Sequence, residues 1–283
     1  MRRIILFGFL IFFIISVPAS ALEEGCSERI VSVTLASDEI LVDILSDKAR
    51  IAGLTYLSDD RSISNIADRT EGIPKIRANL EQIVELNPDL VITAGYLGSD
   101  FIKLLKTAGL NVMVLEDVNN IDSIEKNIIS IGERVCEQGK AEKLVKKMTE
   151  EIKDIKNSHN HEHRPSVMFY SAPGFTAGPN SLIDEIISIA GGRNAFQGDS
   201  FVRSSKISLE YIIKTDPDVI ILSSFTPTDP GFEERFLENP AVKQTRAFKD
   251  HNIYVIQGRY IISSSHYIVK GIKKLEHLIN GGS

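Results

Sequence analysis

Three histidines at alternate positions, His159, His161 and His163 in the run HNHEHR, are the densest set of possible metal donors in the chain. A histidine-rich tract can hold zinc, and a site for zinc or manganese is one reading of it. The preferred reading is a solvated turn with no metal. Outside the tract only His251, His266 and His277 occur, all near the C-terminus, so no histidine exists from which to build a first-half metal site. Cys26 and Cys136 are the two cysteines. They are too few for a thiolate-bound cluster, and in an exported chain they are either a disulfide or two unpaired, partly buried thiols. The chain has no G-x-S-x-G elbow, P-loop, G-x-G-x-x-G or H-E-x-x-H run, so nothing argues for catalysis and no cofactor is assigned. What remains is the chemistry of non-covalent grip. Tyr56, Tyr96, Phe175, Phe201 and Tyr260 offer aromatic faces, and Arg203 and Arg259 offer cationic forks for carboxylate or phosphate oxygens. His266 completes this set of ligand-facing candidates.

These residues must be positioned by elements, and the chain states its main element twice. LEQIVELNPDLVI at 80–92 and LEYIIKTDPDVII at 209–221 lie 129 positions apart. Each copy reads as a helix, an Asx-Pro-Asp turn and a buried parallel strand. Two copies are too few for a repeat array, so the reading is two similar α/β lobes with a cleft between them. In the first lobe strands are expected at 29–34, 49–55, 90–93 and 111–116, with helices at 37–45 (opened by Ser37), from 80, and at 99–108. In the second, strands are expected at 166–170 and 252–257 beside the repeat strand, with helices at 181–190 and 265–280. Between the lobes, apolar positions keep a helical period from 121 to 158, as one long helix or two stacked ones that act as a stiff connector. Ligand-facing loops should lie at the carboxyl ends of the parallel strands. In the first lobe these are 34–38, 56–61 and 95–99. In the second they are 171–177, 201–205, 224–232 and 259–266.

Residues 1–21 read as a cleavable export signal: Arg2 and Arg3, an apolar run from Ile4 to Val17, then Ala19-Ser20-Ala21. That run is shorter than the ~20 residues a spanning helix needs. The expected organisation is a signal peptide at 1–21, a first lobe at 22–120, a connecting helix at 121–160 and a second lobe at 161–283. The formal net charge of −6 argues against nucleic acid and against a polybasic membrane-surface role. A monomer is expected.

The order of these pieces resembles the periplasmic substrate-binding proteins of ABC importers for iron–siderophore complexes, haem and cobalamin. The likeness rests on RIVSVTLASDEIL, RIAGLTYLSDD, both NPDLVI/DPDVII segments, the connector, and TAGPNSLIDEIISIAGGRNAF. It implies a class III binding-protein fold, two lobes with central parallel sheets joined by a rigid interlobe helix, in a non-enzymatic periplasmic protein. It further implies that Glu81 and Glu210, one per lobe, meet arginines of an inner-membrane permease dimer. The ligand implied is a metal chelate, either a ferric siderophore or a corrinoid. Haem-binding members often carry an iron-ligating Tyr after a Leu-Pro-x-Val-Gly stretch, whereas GIPKIRANLE here has Arg77 and no Tyr. The chain also has no Trp, so the tryptophan wall of some cobalamin binders is missing, although Tyr56 sits where that subgroup places an aromatic. The alternatives are a zinc- or manganese-binding protein of an ABC importer and a haem-binding member.

Overall fold

The computed structural model describes residues 25–158, 164–198, 204–223 and 231–280. The first lobe contains β1 (Ile30–Ser32), α1 (Leu35–Ile44), β2 (Ile51–Thr55), β3 (Lys75–Ile76), α2 (Leu80–Glu85), β4 (Leu90–Ala94), α3 (Ser99–Thr107) and β5 (Val112–Leu115). Its sheet runs β3-β2-β1-β4-β5, and every pair is parallel. Two helices follow, α4 (Ile121–Arg134) and α5 (Gln138–Ser158).

The second lobe contains β6 (Ser166–Ser171), β7 (Phe175–Ala177), α6 (Leu182–Ile189), β8 (Arg193–Asn194), β9 (Ser204–Lys206), α7 (Leu209–Thr215) and β10 (Val219–Ser223). It closes with α8 (Phe232–Glu238), α9 (Arg246–Lys249), β11 (Ile253–Val255), α10 (Gly258–Ile261) and α11 (Ile268–Ile279). Strands β11, β10, β6 and β8 repeat the parallel arrangement of the first lobe. The central strands are mainly apolar because helices cover both faces: Ile30, Val31, Leu90, Val91, Ile92, Ile220 and Leu222 are fully buried.

The repeated segment explains itself in the structure. Asn87 and Asp216 end α2 and α7 in the left-handed conformation, at φ 45° and 43°. Short polar side chains tolerate that conformation best after glycine. Asp89 then accepts hydrogen bonds from the N–H groups of Glu28 and Arg29, at 2.6 and 3.0 Å, in front of β1. Its counterpart Asp218 accepts from the N–H and hydroxyl of Ser166, at 2.8 and 2.6 Å, at the start of β6. Each Pro-Asp turn therefore pins the entry of the neighbouring central strand.

Three expectations change, and one choice left open is decided. The cap of α1 is Thr34, whose side chain accepts from the Ser37 N–H, so the helix starts two residues before Ser37. Of the two forms expected for 121–158, the structure has two stacked helices, broken where Cys136 takes φ 57°. Of these, α5 packs on α1 and α4 on one side and on α6 and α11 on the other. At 21 residues it is roughly 30 Å long. A second change lies at 171–177 and 201–205, expected as loops. Here Phe175–Ala177 and Ser204–Lys206 pair antiparallel as β7 and β9, because β6 turns back on itself beyond Ser171. Last, the terminal helix begins at Ile268, not at residue 265.

Cys26 and Cys136 form a disulfide, with Cα atoms 5.5 Å apart. Residues 1–24, including the expected export signal, and the His159/His161/His163 tract lie outside the described residues. Among the described residues no helix is long and apolar enough to cross a membrane.

Candidate functional site

The carboxyl ends of both sheets face one cavity of about 840 Å³. From the first lobe it is lined at the ends of β1 (Val33, Thr34), β2 (Thr55, Tyr56), β4 (Ala94, Tyr96) and β5 (Leu115, Glu116). The second lobe contributes Ser171 at the end of β6, Phe175 beyond it, Ser223 at the end of β10, and Ile262 to Ser264. This is the place a parallel sheet reserves for ligands, since loops leaving the strand ends are free of the ladder.

Three of the expected aromatics meet here. Tyr56 opens a 3₁₀ turn directly after β2, and Tyr96 sits in another directly after β4. Phe175 is the first residue of β7. All three line the cavity and remain 47 %, 69 % and 38 % exposed, so the cavity is open. Partial desolvation of the Tyr96 phenol beside the cleft wall, with the nearby carboxyls of Asp38 and Asp117, raises it above the ordinary value. Gly95 in the turn carrying it packs closely on Asp117, since a Cβ there would stand 3.0 Å from Oδ1.

Three other expected residues lie outside this lining. His266 is drawn to α1, where its Nε2 meets Oδ2 of Asp43 at 2.7 Å. Arg259 donates from Nε to Oε1 of Gln257 at 2.9 Å, and its guanidinium lies 4.8 Å from the ring centre of Tyr260. Tyr260 itself is half-buried and packs on the apolar core. The segment 258–261 is not a free loop, because it coils into α10 and docks on α11 at Gly271. A Cβ at Gly271 would come within 1.9 Å of the Tyr260 carbonyl oxygen. Phe201 and Arg203 lie outside the described residues.

Several lining residues escaped the sequence reading. Arg77 follows β3, a two-residue strand hidden in what reads as a long polar connection. Its guanidinium carbon lies 4.1 Å above the centre of the Tyr56 ring. Glu116, Asp117 and Glu39 supply carboxylates. Glu39 reads as an ordinary first-turn acid, yet it is buried and crosses between the lobes. Its Oε1 accepts from the N–H and side-chain amide of Asn65, both at 2.9 Å, and its Oε2 accepts from the hydroxyls of Ser263 and Ser265. Asn65 also donates to the carbonyl of Arg259 at 2.8 Å.

Beside the cavity floor, Asp38 is fully buried and accepts from the N–H and hydroxyl of Thr55, at 3.0 and 2.7 Å. Burial pushes its carboxyl up to about 8, against the opposing pull of the Ser32 and Thr55 hydrogen bonds. It is therefore largely neutral near pH 7. Among the described residues no group of three or more His, Cys, Asp or Glu is arranged to hold a metal ion.

Glu81 and Glu210 are exposed in the first turns of α2 and α7, behind the caps Asn79 and Ser208. The Ser208 hydroxyl and the N–H of Glu210 itself hold the Glu210 carboxyl below its ordinary value.

Comparison with known proteins agrees with this geometry. A family model for periplasmic binding proteins matches residues 30–260. An ABC transporter substrate-binding lipoprotein of Bacillus subtilis, YvrC, is 25 % identical over 268 residues, covering 89 % of this chain and 80 % of its own. A cobalamin-binding protein of Halobacterium salinarum is 24 % identical over 253 residues, covering 88 % of this chain and 68 % of its own. Among solved structures, the periplasmic haem-binding protein RhuT of Roseiflexus sp. RS-1, in apo form, superposes with a TM-score of 0.76 at 23 % identity. That superposition covers 89 % of this chain and 98 % of RhuT. With its two-lobed α/β architecture and an interlobe cavity at the strand ends, the chain belongs to the periplasmic binding protein family.

Proposed function

We propose that this protein captures a corrinoid, a cobalamin-type metal chelate, between its lobes and hands it to the permease of an ABC importer without chemical change. The observation that carries the reading is the charge of the cavity wall. Among the described lining residues Glu39, Glu116 and Asp117 are acidic and Arg77 alone is basic. A corrin ring is fringed with carboxamide arms whose N–H groups donate to carboxylates. A polyanionic ferric catecholate or the propionates of haem would meet like charge in the same cavity, which disfavours them by several kcal/mol when desolvated. The exposed rings of Tyr96 and Phe175, beside the Arg77-capped Tyr56, suit a large flat ligand that protrudes from an open cleft. A cobalamin-binding relative supports the choice. A neutral or cationic ferric siderophore is the second reading, favoured by the same acidic wall.

We further propose a periplasmic location after removal of residues 1–21, and docking of Glu81 and Glu210 on the permease. Carboxylates at the N-termini of α2 and α7 are stabilised by the helix dipole and steer a rim contact. The test is an absorbance spectrum and mass spectrum of the protein as purified, then titration with cyanocobalamin, haemin and a panel of ferric siderophores. The reading requires saturable cobalamin binding with an unaltered ligand recovered afterwards. Saturation by haemin or a siderophore alone would replace it.

A further inference from the structure

Asp38 in the first turn of α1 is fully buried and does not line the cavity, yet bonds lead from it to two rings that do. One route is direct. Its Oδ2 accepts from the N–H and hydroxyl of Thr55, the last residue of β2, at 3.0 and 2.7 Å. Both donors of the residue before Tyr56 are thereby fixed, and with them the start of the turn that carries the Tyr56 ring. The second route runs through hydroxyls. Ser32 at the end of β1 pulls on the Asp38 carboxyl, and its Oγ meets Oγ of Ser37 at 2.6 Å. Ser37 Oγ in turn meets Oγ1 of Thr34 at 2.6 Å, and the Thr34 side chain pulls on the Tyr96 phenol. Ser32, Thr34, Ser37 and Thr55 are all buried, so bulk water does not replace a partner that is lost.

We infer that Asp38 is a positioning residue of the cleft: through Thr55 and through the Ser32–Ser37–Thr34 hydroxyls it sets Tyr56 and Tyr96 where a ligand meets them. Hydroxyls rotate, and a chain of them keeps one arrangement only while the group at its end is fixed. A neutral carboxyl suits that task, because it needs no counter-ion in a site closed to water. Once ionised it is a buried charge beside the carboxylate of Glu39 on the same helix. Tyr96, from the turn after β4, is a further titratable group near it, while β1 and β2 face it with the hydroxyls of Ser32 and Thr55. Relief comes from movement of Thr55 or of the hydroxyl chain, and either displaces a ring. Burial places that change near pH 8, so the grip on ligand is complete below it and weakened above. The inference rests on the corrinoid reading only for its choice of ligand probe.

The first arm of the test needs no ligand. With isotope-labelled tyrosine rings, the Tyr56 and Tyr96 resonances, assigned by Tyr56→Phe and Tyr96→Phe, are followed from about pH 6 to about pH 9. Both should shift with a midpoint near pH 8 in the wild type. Both should hold still in Asp38→Asn, whose amide oxygen accepts from the two Thr55 donors but cannot ionise. Resonances that shift alike in both proteins, or in neither, overturn the inference. The second arm titrates cyanocobalamin at about pH 7 and about pH 9. With only the neutral form competent, wild-type affinity should fall about tenfold across that step. Asp38→Asn should match the wild type within about twofold at the lower pH and stay flat. Asp38→Leu, checked as folded by circular dichroism, strands both Thr55 donors and should bind about tenfold more weakly at the lower pH. If it does not fold, Thr55→Val, which removes the hydroxyl bond alone, should show a smaller loss of the same kind. Unchanged affinity in the folded variant, or an equal loss in Asp38→Asn, overturns the positioning role. If cyanocobalamin does not bind the wild type at all, the ligand reading fails and the tyrosine resonances decide the inference by themselves.

Discussion

Glu39 on α1 accepts a hydrogen bond from the hydroxyl of Ser263 at 3.2 Å, across 224 positions of sequence. Close by, Asp43 binds His266 at 2.7 Å and Arg69 at 2.5 Å, and Arg69 reaches the Tyr267 hydroxyl. The N–H of Arg259 donates to the carbonyl of Ser62 at 3.2 Å. One side of the interlobe boundary is thus a continuous polar seam, and α5 braces both lobes independently.

Two ties leave little room for hinge bending. Small-angle scattering should show almost no change in radius of gyration when a saturating ligand is added. A compaction as large as that of hinge-closing binding proteins would contradict the bracing. Glu39→Ala leaves Ser263, Ser265 and the Asn65 amide without their acceptor. It should cost about 3 kcal/mol in urea unfolding, with a loosened lobe orientation visible in the same scattering experiment.

Asp38 gives a pH signature. Its folded carboxyl lies near 8, raised by burial, against about 4 in the unfolded chain. Between those values the unfolded state loses the proton and the folded state keeps it, so the contribution is complete below pH 4 and is lost as pH rises through 8. In that window stability should fall by about 1.4 kcal/mol per pH unit from this group. Asp38→Asn, which cannot ionise, should show a flatter profile and gain relative stability at pH 8. Parallel profiles for the two proteins would mean that Asp38 is ionised in the fold.

The Cys26–Cys136 bond closes a loop of 110 residues between the chain entry and the break between α4 and α5. Chain-entropy arguments assign such a loop about 5 kcal/mol. Cys26→Ser/Cys136→Ser should lower the urea midpoint accordingly, and reductant should do the same to the wild type and nothing to the variant. The Arg50 guanidinium, which bonds the carbonyls of Ser27 and Val135, should keep the region folded under milder conditions.

Charge reversal on the rim separates docking from capture. Glu81→Lys/Glu210→Lys should leave ligand affinity within about twofold and the protein folded, since both side chains are exposed. Ligand uptake in reconstituted vesicles carrying the cognate permease should fall severely. A collapse of ligand affinity in solution would instead place these residues in ligand recognition.

Local pattern determined a good deal of this protein. The aliphatic runs that became β1, β4, β6 and β10, the helical periods that became α4 and α5, and the Asx-Pro-Asp turns all follow from φ/ψ preferences and from burial on both sheet faces. Tyr56 and Tyr96 could be placed in the cleft because each directly follows a strand, and a parallel sheet sends its strand ends to one side. Phe175 also reached the cavity, though on a strand rather than in a loop.

Other placements depend on partners far along the chain. His266 and Arg259 had ligand-facing chemistry and loop-like surroundings, but α1 and α11 claimed that segment through Asp43, Glu39 and Gly271. Conversely, Arg77 became a cavity residue only when the short strand β3 laid it over Tyr56. Such pairings follow from which surfaces the folded lobes bring together, and periodicity over a few residues carries no record of them. The amino-acid order thus determined the lobes and the strand ends that face each other, and tertiary packing decided which charges line the space between them.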